Sequence, residues 1–308
     1  MDIKAFNHAK MLLENRRSIT LEKLDSAKEK FAQNQEYAQL TKDIKLNTLA
    51  LSKALANNQD FSEFEKKDKL LNKQLAEFEN KFFNIKNFAH CPTCCDTGFV
   101  DGKYCNCFIS LYKQVLRQKS GIDSLPNFTF KDNKIAEIKC RQSKTLAKLY
   151  DSMEKYCEEF PNNNFKNILI CGKVGVGKSC LLSCTINKLL DKGISAQYFS
   201  AFNLNSLFLK YHTTNVKERD YILTNLIETD VLLIDDLGTE PIIKNVSIEY
   251  LTLLLTERQN KHTIIATNLT DEEIQNKYGD RVFSRLTNKN MSKLLYLDGD
   301  DLRHINKK

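Results

Sequence analysis

Eight residues in mid-chain, Gly172-Lys173-Val174-Gly175-Val176-Gly177-Lys178-Ser179, have the types and spacing of a phosphate cradle. Glycines at 172, 175 and 177 let successive main-chain N–H groups turn inward around phosphate oxygens, and the helical run from Cys180 to Leu190 adds its positive end. Lys178 is placed to reach the β- and γ-phosphates of ATP, and Ser179 to offer its hydroxyl to Mg2+. The apolar run Val231–Ile234 delivers two carboxylates at its end. Asp235 is expected to hold the magnesium, largely through water, and Asp236 to orient an attacking water. Thr263–Thr267 ends in Asn268, which suits contact with the γ-phosphate or that water, and equally suits capping the turn before Thr270. Arg281 and Arg285, four apart, share a helix face. Such a pair is either a solvated basic face or an arginine finger that completes a neighbouring subunit's site.

A second cluster has metal-ligand spacing. Cys91-Pro-Thr-Cys94 and Cys105-Asn-Cys107 flank a stretch with glycines at 98 and 102 that can fold as a short hairpin. Four thiolates brought together this way make a closed tetrahedral site, for which Zn2+ is the default ion and the role is structural. Cys95 is spare, His90 could substitute for a ligand, and free thiols or a redox pair are the alternative. Cys140, Cys157, Cys171, Cys180 and Cys184 read as buried small hydrophobes.

These groups need a scaffold. Asn167–Cys171, Ala196–Ser200, Val231–Ile234 and Thr263–Thr267 are short, apolar and separated by helical stretches, which predicts a parallel sheet covered on both faces. The start of the chain differs. No Gly or Pro occurs from Met1 to Ala89, and Phe64, Leu71, Leu75, Phe78 and Phe82 form one stripe. A helical hairpin is expected over residues 1–86, broken at Asn57–Asp60, with Asp60 or Ser62 as cap. Its apolar stripe serves either a private core or a partner protein. The expected division is a helical partner-binding region at 1–87, a cysteine-rich zinc module at 88–120 and a nucleotide-binding domain at 125–308.

Composition narrows the field. The chain has 308 residues, 42% hydrophobic and 28% charged, so a real core is available. Lys and Arg number 46 against 39 Asp and Glu, a net +7 with no block of one sign, which allows a phosphate-bearing partner without demanding one. No apolar run approaches the ~20 residues of a membrane helix, and no apolar segment follows Met1–His8 as a secretory signal requires. No membrane association is expected, and the location expected is cytoplasmic.

Taken in order, the phosphate loop, Leu233-Ile-Asp-Asp-Leu-Gly-Thr-Glu240, Ala266-Thr-Asn268 and Arg281-Val-Phe-Ser-Arg285-Leu286 resemble AAA+ ATPases, and specifically bacterial replicative helicase loaders of the DnaC/DnaI type. The resemblance covers about residues 88–308. It implies an ATPase that binds the hexameric replicative helicase through its N-terminal region, helps place it on single-stranded DNA, and self-assembles on binding ATP. By the same resemblance Lys178 and Ser179 belong to Walker A, Asp235 and Asp236 to Walker B, and Asn268 to sensor 1. Arg285 is then the finger, Arg281 its support, and Arg303 resembles a sensor 2 arginine. Many AAA+ proteins carry Glu where Asp236 stands, so hydrolysis is expected to be slow, and Glu240 could contribute instead. The residues after Arg285 are too few for the usual helical lid. Tyr198, Phe199, Phe202, Phe208 and Tyr211, with Lys210, are candidates for stacking on single-stranded DNA, most of them expected in the core. Two other readings share these motifs: a transposase-associated, IstB-like helper ATPase, and a non-hydrolysing adaptor switched by nucleotide.

Overall fold

The glycine-free start of the chain folds as three helices rather than two. In the computed structural model, which describes residues 2–31, 34–57, 59–131 and 140–304, these are α1 (Ile3–Phe31), α2 (Gln35–Ala56) and α3 (Ser62–Phe82). The expected break before α3 is present, and the Asp60 carboxylate accepts the Ser62 N–H at 3.0 Å. The additional break before α2 is made by Asn34, whose side chain accepts the N–H groups of Glu36 (3.0 Å) and Tyr37 (3.3 Å). An Asn at this position satisfies orphan amides that a continuing helix would not leave open. Phe31, Tyr37, Phe78, Phe82 and Phe83 gather with ring centroids 4.7–6.4 Å apart. Buried Asn47 ties α2 to the Phe64 carbonyl of α3 at 3.0 Å. Leu46, Leu49, Leu55 and Leu70 stay exposed.

The described chain clusters into two compact units, Asn7–Leu111 and Met1–Phe6 with Tyr112–Lys308. The first ends with a two-stranded hairpin, β1 (Phe99–Val100) and β2 (Lys103–Tyr104), and the start of α4 (Asn106–Lys119). The second continues through α5 (Ser143–Glu159), β3 (Asn167–Gly172), α6 (Lys178–Asp191), β4 (Ala196–Ser200), α7 (Ala201–Thr213), α8 (Val216–Glu228), β5 (Val231–Leu237), α9 (Ser247–Glu257), β6 (His262–Thr267), α10 (Asp271–Leu286) and β7 (Ser292–Leu297).

Its five strands pair in the order β4-β5-β6-β3-β7, all parallel. Both faces of the strands are covered, as their unbroken apolar runs require. Leu169, Leu232, Ile234 and Ile265 pack with buried residues of α7, α8, α9 and α10. The alternate residues Ile168, Ile170, Leu233 and Ile264 are equally buried. The last strand, β7, lies outside the sequence expectation. Its signal is the short run Leu294–Leu297 after a polar turn. No lid helix follows it among the described residues.

At the amino ends of the strands, the side chain of Arg258 is wholly enclosed and donates to the carbonyls of Leu226, Ile227, Thr229 and His262 and to the Thr263 hydroxyl. It thereby closes the open carbonyl end of α8. His262 beside it pairs with the Tyr156 hydroxyl (2.8 Å) and Lys166 (3.2 Å).

Candidate functional site

Parallel strands direct their carboxyl ends to one edge of the sheet, where ligands of such folds bind. Because β6 lies between β3 and β5, Asn268 emerges between the loop after β3 and the carboxylates at the end of β5. The loop itself requires its glycines. Gly175 and Gly177 have φ of 79° and 104°, a region costly for other residues. At Gly172 a Cβ would fall 2.2 Å from the Leu297 carbonyl oxygen. Lys178 opens α6 and is buried. Its ammonium donates to the carbonyls of Gly172 and Lys173, both at 2.7 Å, and to Asn268 Oδ1 at 2.5 Å. Burial lowers its pKa, opposed by the charges of Asp236 and Asp235. The three acceptors hold the cation over the loop, where phosphate oxygens can replace them.

Asp235 is buried, and burial raises its pKa, while a hydrogen bond from Ser179 works the other way. Tyr198 donates to its Oδ2 at 3.2 Å and the Asp236 N–H to its Oδ1 at 2.9 Å. Ser179 and Asp235 thus meet as the two protein oxygens a hard divalent ion would need. Strand β5 runs further than its apolar residues predict, and its register against β6 shifts between Ile234 and Leu237. Asp236 sits in this irregular stretch with φ of 54°, strained backbone of the kind that collects at functional sites.

The C-terminal segment lies against the same loop. Lys173 pairs with Asp298 at 3.1 Å, and the Leu302 N–H donates to the Gly175 carbonyl at 2.9 Å. The Asp301 carboxylate occupies the space beside Gly175. Arg303 is therefore at the edge of the loop, but its exposed guanidinium is engaged by Asp301 at 2.6–3.2 Å. That arginine holds the Asp301 carboxyl down to about 2. Gln142 fixes the segment through both amide atoms, at 2.7 and 2.9 Å from the Asp300 main chain.

Helix α10 is broken at Gly279, φ 81°, so the turn carrying Arg281 and Arg285 departs from the axis that starts at Asp271. Arg285 donates to the Thr256 hydroxyl and the Arg281 carbonyl, each at 2.9 Å, and Arg281 is exposed. Neither bond of Arg285 reaches the phosphate loop of its own chain. Glu240 does not serve as a substitute for Asp236. Its carboxylate is buried, and it accepts from the Tyr278 hydroxyl and, at 2.9 Å, from the Gly238 N–H. Of the aromatic candidates for DNA, Tyr198 and Phe208 are buried, Phe199 and Tyr211 are half-buried, and Phe202 is 61% exposed. Sequence reasoning missed the bond of Tyr198 to Asp235 and the contribution of Gln142 and Asp301. A strand tyrosine three residues before the start of the next helix was the only hint of the first.

The sulfur atoms of Cys91, Cys94, Cys105 and Cys107 lie within 4.8 Å of one another. Cys91–Cys105 is 3.8 Å and Cys94–Cys107 is 3.4 Å, against about 3.8 Å between thiolates on a tetrahedral ion with 2.3 Å bonds. The donor set therefore fits zinc. The Asp101-Gly102 turn, with φ of 49° and 75°, closes the β1–β2 hairpin that brings the pairs together. The ring of His90 and the thiol of Cys95 stand outside the cluster. Buried Asp96 accepts the N–H groups of His90 (2.9 Å) and Cys91 (2.8 Å) and the α1 hydroxyl of Thr20 (2.8 Å), fixing the first knuckle. Of the five dispersed cysteines, Cys157, Cys171 and Cys184 are buried, whereas Cys140 and Cys180 are only partly so. No described helix is long and apolar enough to cross a membrane.

Residues 129–304 match the family described as IstB-like ATP binding protein. No curated protein matches the chain. Among solved structures, the DnaC helicase loader is similar at 22% identity and TM-score 0.42, over 59% of this chain and 98% of that one. A putative primosome component from Streptococcus pyogenes serotype M3 is similar at 20% identity and TM-score 0.44, over 60% and 93%. AMPPCP-bound DnaA from Aquifex aeolicus is similar at 19% identity and TM-score 0.43, over 56% of this chain and 50% of that one. The family match spans more than half of the chain and includes the phosphate loop, both carboxylates and Asn268, and the chain belongs to the family of IstB-like ATP binding proteins.

Proposed function

We propose that the chain is an ATP-hydrolysing loader that binds the hexameric replicative helicase and helps place it on single-stranded DNA. The observation that carries this reading is the convergence of Lys178, Asn268, Asp235 and Asp236 on the loop 172–179. The loop amides and Lys178 grip the triphosphate. Asp236 takes a proton from water as the water attacks the γ-phosphorus, and the β–γ bridging oxygen leaves with ADP. Ser179 and Asp235 would hold magnesium, which would supply charge neutralisation to the triphosphate. Asn268 orients the γ-phosphate or the water. Arg285, supported by Arg281, enters from a neighbouring copy in an assembly formed on ATP, and Arg303 turns to the phosphates when they displace Asp301.

Residues 1–87 form the partner-binding region, 88–120 the zinc module and 125–308 the ATPase domain. Exposed Leu46, Leu49, Leu55 and Leu70 support a protein partner for the first. Exposed Phe202 supports a single-stranded DNA contact. The protein works in the cytoplasm. Size-exclusion chromatography with the cognate helicase, with and without ATP, tests the scheme. Co-elution that is lost on deleting residues 1–120 is expected, and no association in any nucleotide state overturns it. The family match favours a second reading, a transposase-associated helper. Residues 1–128 lie outside that match and favour the loader, and a pull-down that recovers transposase instead of helicase would reverse the choice. A non-hydrolysing adaptor would keep its function in Asp236→Asn.

A further inference from the structure

The four residues after Asp236 are held by bonds within their own turn and by others from β6 and α10. Thr239 turns back on the Asp236 carbonyl through its N–H (3.1 Å) and hydroxyl (2.9 Å). The Thr267 hydroxyl at the end of β6 donates to the Leu237 carbonyl at 2.6 Å. Lys277 of α10 donates to the Gly238 carbonyl (2.5 Å) and the Glu240 carbonyl (3.0 Å). Leu269 packs where a side chain on Gly238 would stand. The innermost piece is Glu240, 5% exposed, with Tyr278, 2% exposed. One Glu240 oxygen accepts the Tyr278 hydroxyl and the other accepts the Gly238 N–H.

A buried carboxyl with a phenol and a single amide for partners is a poor stabiliser, since an apolar pair of the same shape would do as well or better. What it does supply is direction. It fixes Gly238 relative to α10, two residues from a carboxylate whose own backbone is in the left-handed region. Burial and the adjoining Glu240 carboxyl raise the Tyr278 pKa, so the phenol keeps its proton and stays the donor.

We infer that Glu240 and Tyr278 are a positioning pair that sets the aim of Asp236 at the attacking water, without touching nucleotide themselves. The inference rests on the proposed hydrolysis at this site. It predicts a defect in turnover and not in binding, because the loop and Lys178 are held by other bonds. An error of about 1 Å in a reacting group lowers a rate by on the order of 100-fold.

The test uses the full chain. Tyr278→Phe, Glu240→Gln and the double variant are compared with wild type by steady-state ATP hydrolysis, titration with a fluorescent ATP analogue and thermal melting. The expected result is a kcat about 10- to 100-fold lower in each single variant, analogue affinity within about twofold of wild type, and a double variant no worse than the poorer single one. A kcat within about twofold of wild type overturns the inference. So does an affinity that falls in step with kcat, or a Tyr278→Phe chain that does not fold, since either makes the role purely structural. Absence of turnover in wild type itself would remove the proposed hydrolysis, and with it the inference. Turnover that persists unchanged in the variants removes the inference alone.

Discussion

The two ends of the central sheet both bury charge, and they treat it in opposite ways. At the amino end Arg258 gives its donors to four carbonyls and a hydroxyl of its own chain, and His262 has a partner on each ring nitrogen. At the carboxyl end Lys178 rests on two loop carbonyls and Asn268, Asp236 holds a strained backbone, and Asp301 lies against the loop that phosphate would fill. The first set of bonds is complete without a ligand. The second consists of contacts that a ligand can replace. Polar side chains at the sheet ends therefore contribute stability at one end and reactivity at the other, according to whether the chain itself completes their hydrogen bonding.

Substitutions should separate the two ends. Arg258→Leu is expected to cost about 4 kcal/mol in urea unfolding, because it strands several buried acceptors at on the order of 1 kcal/mol each. Nucleotide affinity per folded molecule should hardly change. If the loss is under 1 kcal/mol, the amino end is not the stabilising end. Lys178→Ala should do the reverse. ATP affinity measured by calorimetric titration should fall by about 100-fold, or about 2.8 kcal/mol at 1.4 per decade, while the melting temperature of the free protein holds or rises.

Acid should act through the amino end. Burial first, then Lys166 and Arg258, pull the His262 pKa from 6.5 to about 4. The unfolded chain therefore takes up this proton before the folded one does, and stability present at neutral pH is lost as pH falls from 6.5 towards 4. About 2 kcal/mol should go between pH 7 and pH 5, and His262→Gln should flatten that slope in unfolding curves. The smallest effect belongs to Asp236→Gly. Relief of the left-handed backbone should leave the protein unchanged or up to about 1 kcal/mol more stable while turnover disappears. A clear loss of stability would mean that the carboxyl end is not strained.

The carboxyl end is the more legible of the two. Gly175, Gly177, Lys178 and Ser179 fall within five successive positions, Asp235 directly follows a run of apolar residues and Asn268 ends a short, mostly apolar strand, so their chemistry follows from local pattern. Arg258 and His262 carry no such signal, since their partners come from α5, α8 and the strand starts and meet only in the folded chain. Glu240 shows the same limit. Its type and place suit catalysis, but the Gly238 N–H and Tyr278, far along the sequence, hold it inward. The sheet was readable except for β7, whose apolar run is short. The helical start was readable except for the break at Asn34, where one capping side chain outweighs the apolar spacing on either side.

The placement of β3 has a consequence for synthesis. The strand that leads into the phosphate loop pairs only with β6 and β7, so Asn167 lies opposite Thr263 and Ser292. A chain still on the ribosome has made the loop long before either neighbour exists. The apolar strand β3 therefore stays without either sheet neighbour until β6 and β7 have been made, an exposure that long-range parallel pairing imposes.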